Sequence, residues 1–446
     1  MNSILIKNAR IVNEGRISEG DLRVADGRIT QVGGEISAQA NDRVIDADGK
    51  HLLPGMIDDQ VHFREPGLTH KADMATESRA AVAGGITSYM EMPNTNPQTI
   101  TVEALEAKYQ LAAGRCMANH AFYMGTTNDN IDEIRKLKPD QTCGIKIFMG
   151  ASTGNMLVDN PETLAMVFRD APMLIATHCE DTPMIEQNEA IYREKYGEDI
   201  PIEYHPLIRS EEACYKSSSM AVAMAKEHGT RLHVLHMTTA RELELFEPGP
   251  VLNKRITTEA CVHHLYFDES DYARKGTLIK CNPAVKKASD KAALRKALAE
   301  DRIDVIATDH APHLLEEKDS SYFKAPAGLP LVQHALQMAL ELYHDGVLTL
   351  EQVVNKCSHA PAQLFGVQER GFLREGYWAD LVLVDLDKPV TVERKDVLYK
   401  CGWSPLEGDT LGSTIHTTVV NGELVYEQGV IAGVIAGRRL DFSGRS

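Results

Sequence analysis

The chain has 446 residues, of which 43% are hydrophobic and 25% charged, and its formal net charge is −17. That length holds a large core and more than one folded unit, and the composition is that of an ordinary globular protein. An acidic balance of this size disfavours nucleic acid or an anionic membrane surface as a partner.

The opening residues, Met1 to Arg10, lack a basic-then-apolar leader pattern. No run is long and apolar enough to cross a bilayer. The eight cysteines are scattered and contain no Cys-x-x-Cys pair. This argues against a disulfide framework or a cysteine-bound zinc and makes a reducing cytoplasm the expected compartment. Cys179 reads as a small buried residue.

Residues 1–54 read as short strands and turns. Asp21-Leu22-Arg23-Val24 and Arg28-Ile29-Thr30-Gln31-Val32 flank Asp26-Gly27, a strong hairpin signal. The same texture returns in 371–446, where Thr417-Thr418-Val419-Val420 meets Leu424-Val425-Tyr426 across Asn421-Gly422. One small β-sandwich domain built from both termini is expected. In between, 55–370 alternates strand-like runs at 56–63, 87–93, 119–125, 144–150, 173–181, 231–238, 255–265 and 303–313 with helical stretches such as 211–228, 292–300 and 331–343. Eight such units predict an α/β fold of the (β/α)₈ barrel type. The alternative is a doubly wound open sheet, but no Gly-rich dinucleotide fingerprint follows the first strand.

The first barrel strand runs from an apolar entry into Asp58-Asp59-Gln60-Val61-His62-Phe63-Arg64-Glu65-Pro66-Gly67. Alternation puts Asp58, Gln60, His62 and Arg64 on one face. These make a poor core and a plausible metal and anion site. Barrel enzymes collect their catalytic groups at the carboxyl ends of strands. Reading those ends adds Asn94, Lys146, His178, His236 and Asp309.

With these motifs in place, the chain resembles the class I dihydroorotases of the amidohydrolase superfamily over nearly its whole length. The likeness rests on Phe63-Arg64-Glu65-Pro66-Gly67, Met92-Pro93-Asn94-Thr95, His178-Cys179-Glu180, Leu232-His233-Val234-Leu235-His236, Thr308-Asp309-His310-Ala311-Pro312-His313 and Gly376-Tyr377-Trp378-Ala379-Asp380. It implies zinc-dependent, reversible hydrolysis of (S)-dihydroorotate to N-carbamoyl-L-aspartate in pyrimidine synthesis. It also implies His178 and His236 on one ion, His62 and Asp309 on another, and Lys146 between them as an N-carboxylated bridge. Asp309 is the implied proton carrier. Arg64, Asn94 and His313 are the implied carboxylate contacts, with Asn282, Ala327 and Gly328 around the ring. Arginine's planar fork suits a carboxylate, which hydantoins and dihydropyrimidines usually lack.

One position departs from the pattern. Gln60 stands where the family has a metal-binding histidine, and an amide oxygen is a weaker zinc ligand. One tight zinc site and a second that is weaker or empty are expected; Asp58 lies on the same face but is not counted among the ligands. His233, His310, His263 and His264 are expected to play no ligand role, and His51, His70 and His416 show no partners in the sequence. The loop 313–330 is expected to carry substrate contacts, and Leu314 to Ser321 reads as exposed and mobile. The competing functions are another cyclic-amide hydrolase (an allantoinase or hydantoinase) and an inactive homologue serving as structural partner of aspartate carbamoyltransferase. The expected assembly is a homo-oligomer, a dimer.

Overall fold

The computed structural model describes residues 3–150 and 156–444. Eight parallel strands form the barrel: Met56–Val61, Ile86–Glu91, Asn119–Phe122 continued by Met124–Gly125, Ile145–Phe148, Ile175–His178, Leu232–Val234, Ile256–Cys261 and Val305–Ala307. The ring closes where Val61 bridges His310 and the His62 N–H donates to the His310 carbonyl at 2.7 Å. Every residue of the first strand is buried, as expected of a parallel sheet covered on its outer face.

Helices fill the crossovers. Glu211–His228 occupies the predicted span, capped by the Ser210 side chain at one end and by left-handed Gly229 at the other. The seventh strand is shorter than the apolar run suggests. It stops at Cys261, and Val262–Tyr266 is helical, so His263 and His264 sit on a helix rather than on a strand end.

The terminal segments share one nine-stranded sheet, in the order Val430–Ile431, Glu423–Glu427, Thr414–Val420, Leu381–Asp385, His51–Pro54, Ser3–Asn13, Arg16–Ala25 and Arg28–Val32, with Asp42–Asp46 also beside Ser3–Asn13. Ser3–Asn13 serves two parallel neighbours, Asp42–Asp46 along its first half and His51–Pro54 along its second. An irregularity between Ile6 and Ala9 separates the halves, and such a bulge bends and twists a strand. Asp380 fastens this sheet to the barrel. Its carboxylate accepts from Asn119 Nδ2 at 3.1 Å and from the Asn421 N–H at 2.8 Å, and it pairs with buried Arg370. All eight cysteines are free thiols. Among the described residues no helix is long and apolar enough to cross a membrane.

Candidate metal and substrate site

The predicted residues converge at the carboxyl ends of the barrel strands. His62 follows the first strand, His178 ends the fifth, and His236 and Asp309 lie just beyond the sixth and eighth. Arg64, His236 and Asp309 adopt φ of 67°, 39° and 49°. Non-glycine residues reach this left-handed region at a cost, and such strain gathers at functional sites.

His178 and His236 form one pair. The Nε2–H of His178 donates to Glu180 Oε2 at 2.8 Å, which leaves its Nδ1 lone pair facing His236 Nε2 at 2.9 Å. Glu180 is fully buried, and the Arg209 guanidinium holds it in place. Burial pushes this carboxyl up, but the Arg209 charge and the His178 contact outweigh it and bring it down to about 2. His236 Nδ1 is buried without a partner among the described residues. The backbone N–H of His236 is fixed by Glu259 Oε1 at 3.1 Å.

His62 and Asp309 form the second pair. His62 Nδ1 donates to Asn94 Oδ1 at 2.8 Å, so a neutral ring turns a bare Nε2 toward Asp309 Oδ1 at 3.1 Å. Two electron-rich atoms at that distance need a proton or a cation between them. Burial lowers the pKa of His62 and lowers that of His236 further, so both rings are neutral, the form that ligates. The Asp309 carboxyl is raised by burial, but the His62 contact and nearby cations bring it below its ordinary value.

Lys146 stands on the fourth barrel strand, Ile145–Phe148. It is fully buried, its Nζ stands 4.6 Å from the centre of the Phe148 ring, and its charge acts on His62, His178, His236 and Asp309 alike. Burial lowers its pKa to about 8. No ion pair joins it to Asp309 among the described residues.

The donors fit a borderline divalent ion. Nitrogens on one tetrahedral zinc lie about 3.3 Å apart, given Zn–N bonds of about 2.0–2.1 Å, so 2.9 Å between His178 and His236 requires only a small outward shift. A carboxylate on the far nitrogen, as Glu180 supplies to His178, is the usual outer partner of a metal-ligating imidazole.

Gln60 turns its amide nitrogen to Asp309 Oδ1 at 3.2 Å and its oxygen toward Cys261 Sγ at 3.7 Å. Asp58 does not stand in for it, because the Asp58 carboxylate is occupied by the Thr308 N–H at 3.1 Å and hydroxyl at 2.5 Å.

Arg64 is buried at the mouth. It donates from Nε to the Pro312 carbonyl at 3.1 Å, and its Nη2 lies 3.1 Å from His313 Nε2. Burial lowers its pKa to about 10. His313 accepts from Lys71 Nζ at Nδ1 and donates from Nε2 to the Ala327 carbonyl, each at 3.0 Å. Its own carbonyl accepts from buried Trp403 Nε1 at 2.7 Å. Asn282 Oδ1 is buried and unpaired. Both backbone groups of Gly328 are spoken for: its N–H donates to the Lys280 carbonyl and its carbonyl accepts from Lys318 Nζ. The Gly328 carbonyl nonetheless keeps a second lone pair, since a backbone carbonyl can accept two hydrogen bonds. The expectation of an exposed 314–321 loop fails at Lys318. This residue is completely buried, ends the short helix Leu315–Lys318, and donates to the carbonyls of Lys280, Pro326 and Gly328.

Several contributors had no visible role in the sequence: Glu180, Arg209, Lys318, Asp59 and Glu259. Only Glu180 left a signal, two residues after His178. Among the described residues, two buried groups have ligand atoms within 4.8 Å of one another and could hold a metal ion, Asp59–His233–Glu259 and Cys261–His263–His264. Neither contains His62, His178, His236 or Asp309, and both contain histidines expected to have no ligand role. His310 does lie apart, with Nε2 on Glu77 at 2.8 Å and Nδ1 accepting from the Leu331 N–H.

Residues 51–425 match the amidohydrolase family. The chain belongs to that family. This amidohydrolase is 32% identical over 459 residues to a dihydroorotase of Methanosarcina acetivorans, covering 100% of this chain and 97% of the relative. It is 31% identical to an allantoinase of Bacillus velezensis, covering 96% and 94%. Among solved structures it resembles the L-hydantoinase (dihydropyrimidinase) of Arthrobacter aurescens, with a TM-score of 0.92, 28% identity and coverage of 99% and 100%. The amidohydrolase therefore sits in the group whose members are named for cyclic-amide substrates, and the barrel with a terminal β-sandwich is the fold of that group.

Proposed function

We propose that the protein is a metal-dependent dihydroorotase, which opens (S)-dihydroorotate to N-carbamoyl-L-aspartate and closes it again. The observation that carries this reading is Arg64. It is buried at the mouth beside His313, with Lys71 and Lys318 adding positive charge around that imidazole, a setting that suits a ring carboxylate. The dihydroorotase relatives at 30–32% identity support it.

His178 and His236 would hold one divalent ion, and His62 and Asp309 a second. Lys146 would bridge them as a carbamate. With a pKa of about 8, a fraction of its amine is neutral at neutral pH, the form that adds carbon dioxide. When bound, zinc supplies a water of pKa near about 7 and polarises a carbonyl.

The residues then divide the work. Arg64, with Asn94 and His313, would fix the ring carboxylate and so orient the scissile amide over Asp309. Asp309 would take a proton from the attacking water as the oxygen adds to the ring carbonyl carbon. It would return that proton to the ring nitrogen as the carbon–nitrogen bond breaks. Its depressed pKa keeps it ionised for the first step. The reverse order closes the ring.

The test compares dihydroorotate, allantoin and hydantoin on one zinc-loaded, bicarbonate-treated sample. The expected result is a kcat/KM for dihydroorotate roughly 10- to 100-fold above the others, in line with a charged contact of about 1.5–3 kcal/mol. Equal rates, or a preference for allantoin, would overturn the assignment.

A further inference from the structure

Beyond this site, we infer that Cys261, His263 and His264 form a separate binding site for a thiophilic divalent cation such as zinc. The ligand atoms of the three residues lie within 4.8 Å of one another, and all three residues are buried. Among the described residues, neither ring nitrogen of His263 has a hydrogen-bond partner, although the residue is 1% exposed. The Thr308 backbone lies near the ring without reaching hydrogen-bond geometry. Buried polar atoms are almost always paired, so an imidazole nitrogen left unpaired at this depth points to a ligand.

His264 gives the second sign. Its Nε2–H donates to the Pro283 carbonyl at 3.0 Å, which fixes the tautomer and leaves the Nδ1 lone pair free; that Nδ1 is buried and unpaired. A backbone carbonyl on the far nitrogen is the arrangement that aims a histidine at a metal. The centres of the two rings lie 3.9 Å apart, and each ring offers a nitrogen within 4.8 Å of the other ligand atoms. Cys261 ends the seventh strand and the histidines open the following helix, so a rigid junction presents all three. One sulfur and two imidazole nitrogens suit zinc and leave a fourth position open.

Filling this site would require the Cys261 thiol to lose its proton to solvent as the metal–sulfur bond forms. The thiol now lies 3.7 Å from the Gln60 amide oxygen. Metal uptake would take Cys261 away from Gln60 and so connect this site to the residue beside Asp309.

The experiment uses the full chain, stripped with chelator and reloaded with zinc alone. X-ray absorption at the zinc edge should show a sulfur neighbour at about 2.3 Å, because every other proposed ligand offers nitrogen or oxygen. Cys261→Ser should lose that neighbour and bind one zinc fewer per chain. A saturated wild-type protein with a sulfur-free shell would overturn the proposal and needs no variant. So would a sulfur shell that persists in Cys261→Ser, which would assign it to another cysteine such as Cys281. Neither readout depends on turnover, so a failed dihydroorotase assignment leaves this test intact.

Discussion

His62 Nε2 stands 3.1 Å from Asp309 Oδ1, and the neighbouring Gln60 amide nitrogen reaches the same oxygen at 3.2 Å. One carboxylate oxygen thus draws together the first and eighth barrel strands. Asp309→Asn keeps the shape and removes the charge and the proton acceptor. Turnover should fall by about 10²- to 10⁴-fold, while circular dichroism and the melting curve stay near those of the wild type. Retained turnover would refute the proton role.

Arg64 offers a second handle. Arg64→Lys retains a positive charge but loses the planar fork, and Arg64→Ala loses both. For dihydroorotate the alanine variant should weaken kcat/KM by roughly 10- to 100-fold, the equivalent of about 1.5–3 kcal/mol for a charged hydrogen bond, with lysine between. Any hydantoin turnover should change little. Equal losses on both substrates would remove the carboxylate assignment.

Gln60→His exchanges a weak donor for an imidazole next to His62. Metal content after dialysis against limiting zinc should rise toward two ions at the main site, measured in a Cys261→Ser background so that the two sites are counted apart. Unchanged stoichiometry would mean that Gln60 does not limit occupancy.

His233 allows a pH test away from the reacting groups. It is fully buried, with Nε2 3.1 Å from Glu259 and 3.3 Å from Asp59. Burial disfavours its charge, but the two carboxylates win and raise its pKa to about 9. A group raised in the folded state stabilises fully below its unfolded pKa of about 6.5, and that contribution is lost as pH climbs through about 9. His233→Gln should therefore cost on the order of 2–3 kcal/mol near pH 6 and much less above pH 9. Melting curves of both proteins across that range are the measurement, and a difference that does not vary with pH would defeat the charge argument.

Local signals carried a large part of the fold. Seven of the eight barrel strands fall within the apolar runs that suggested them, the second begins one residue ahead of its run at Ile86, and Glu211–His228 matches its amphipathic stretch because its caps are written in Ser210 and Gly229. The hairpin turns at Asp26-Gly27 and Asn421-Gly422 were equally legible, since both need residues tolerant of positive φ. The end of the seventh strand was not: Val262 to Leu265 is apolar enough for either state, and packing made it a helix.

The sequence by itself determined the barrel, the shared terminal sheet and the side chains brought to the strand ends, because strand alternation and turn chemistry act over a few residues. It left the partners of those side chains undecided. Asp58 binding Thr308, Glu180 clasped between His178 and Arg209, and Lys318 sunk beneath its loop join positions far apart in the chain or turned on which way one side chain points. Only closure of the ring brings such groups within hydrogen-bond reach, and burial then compels each polar atom to find a partner.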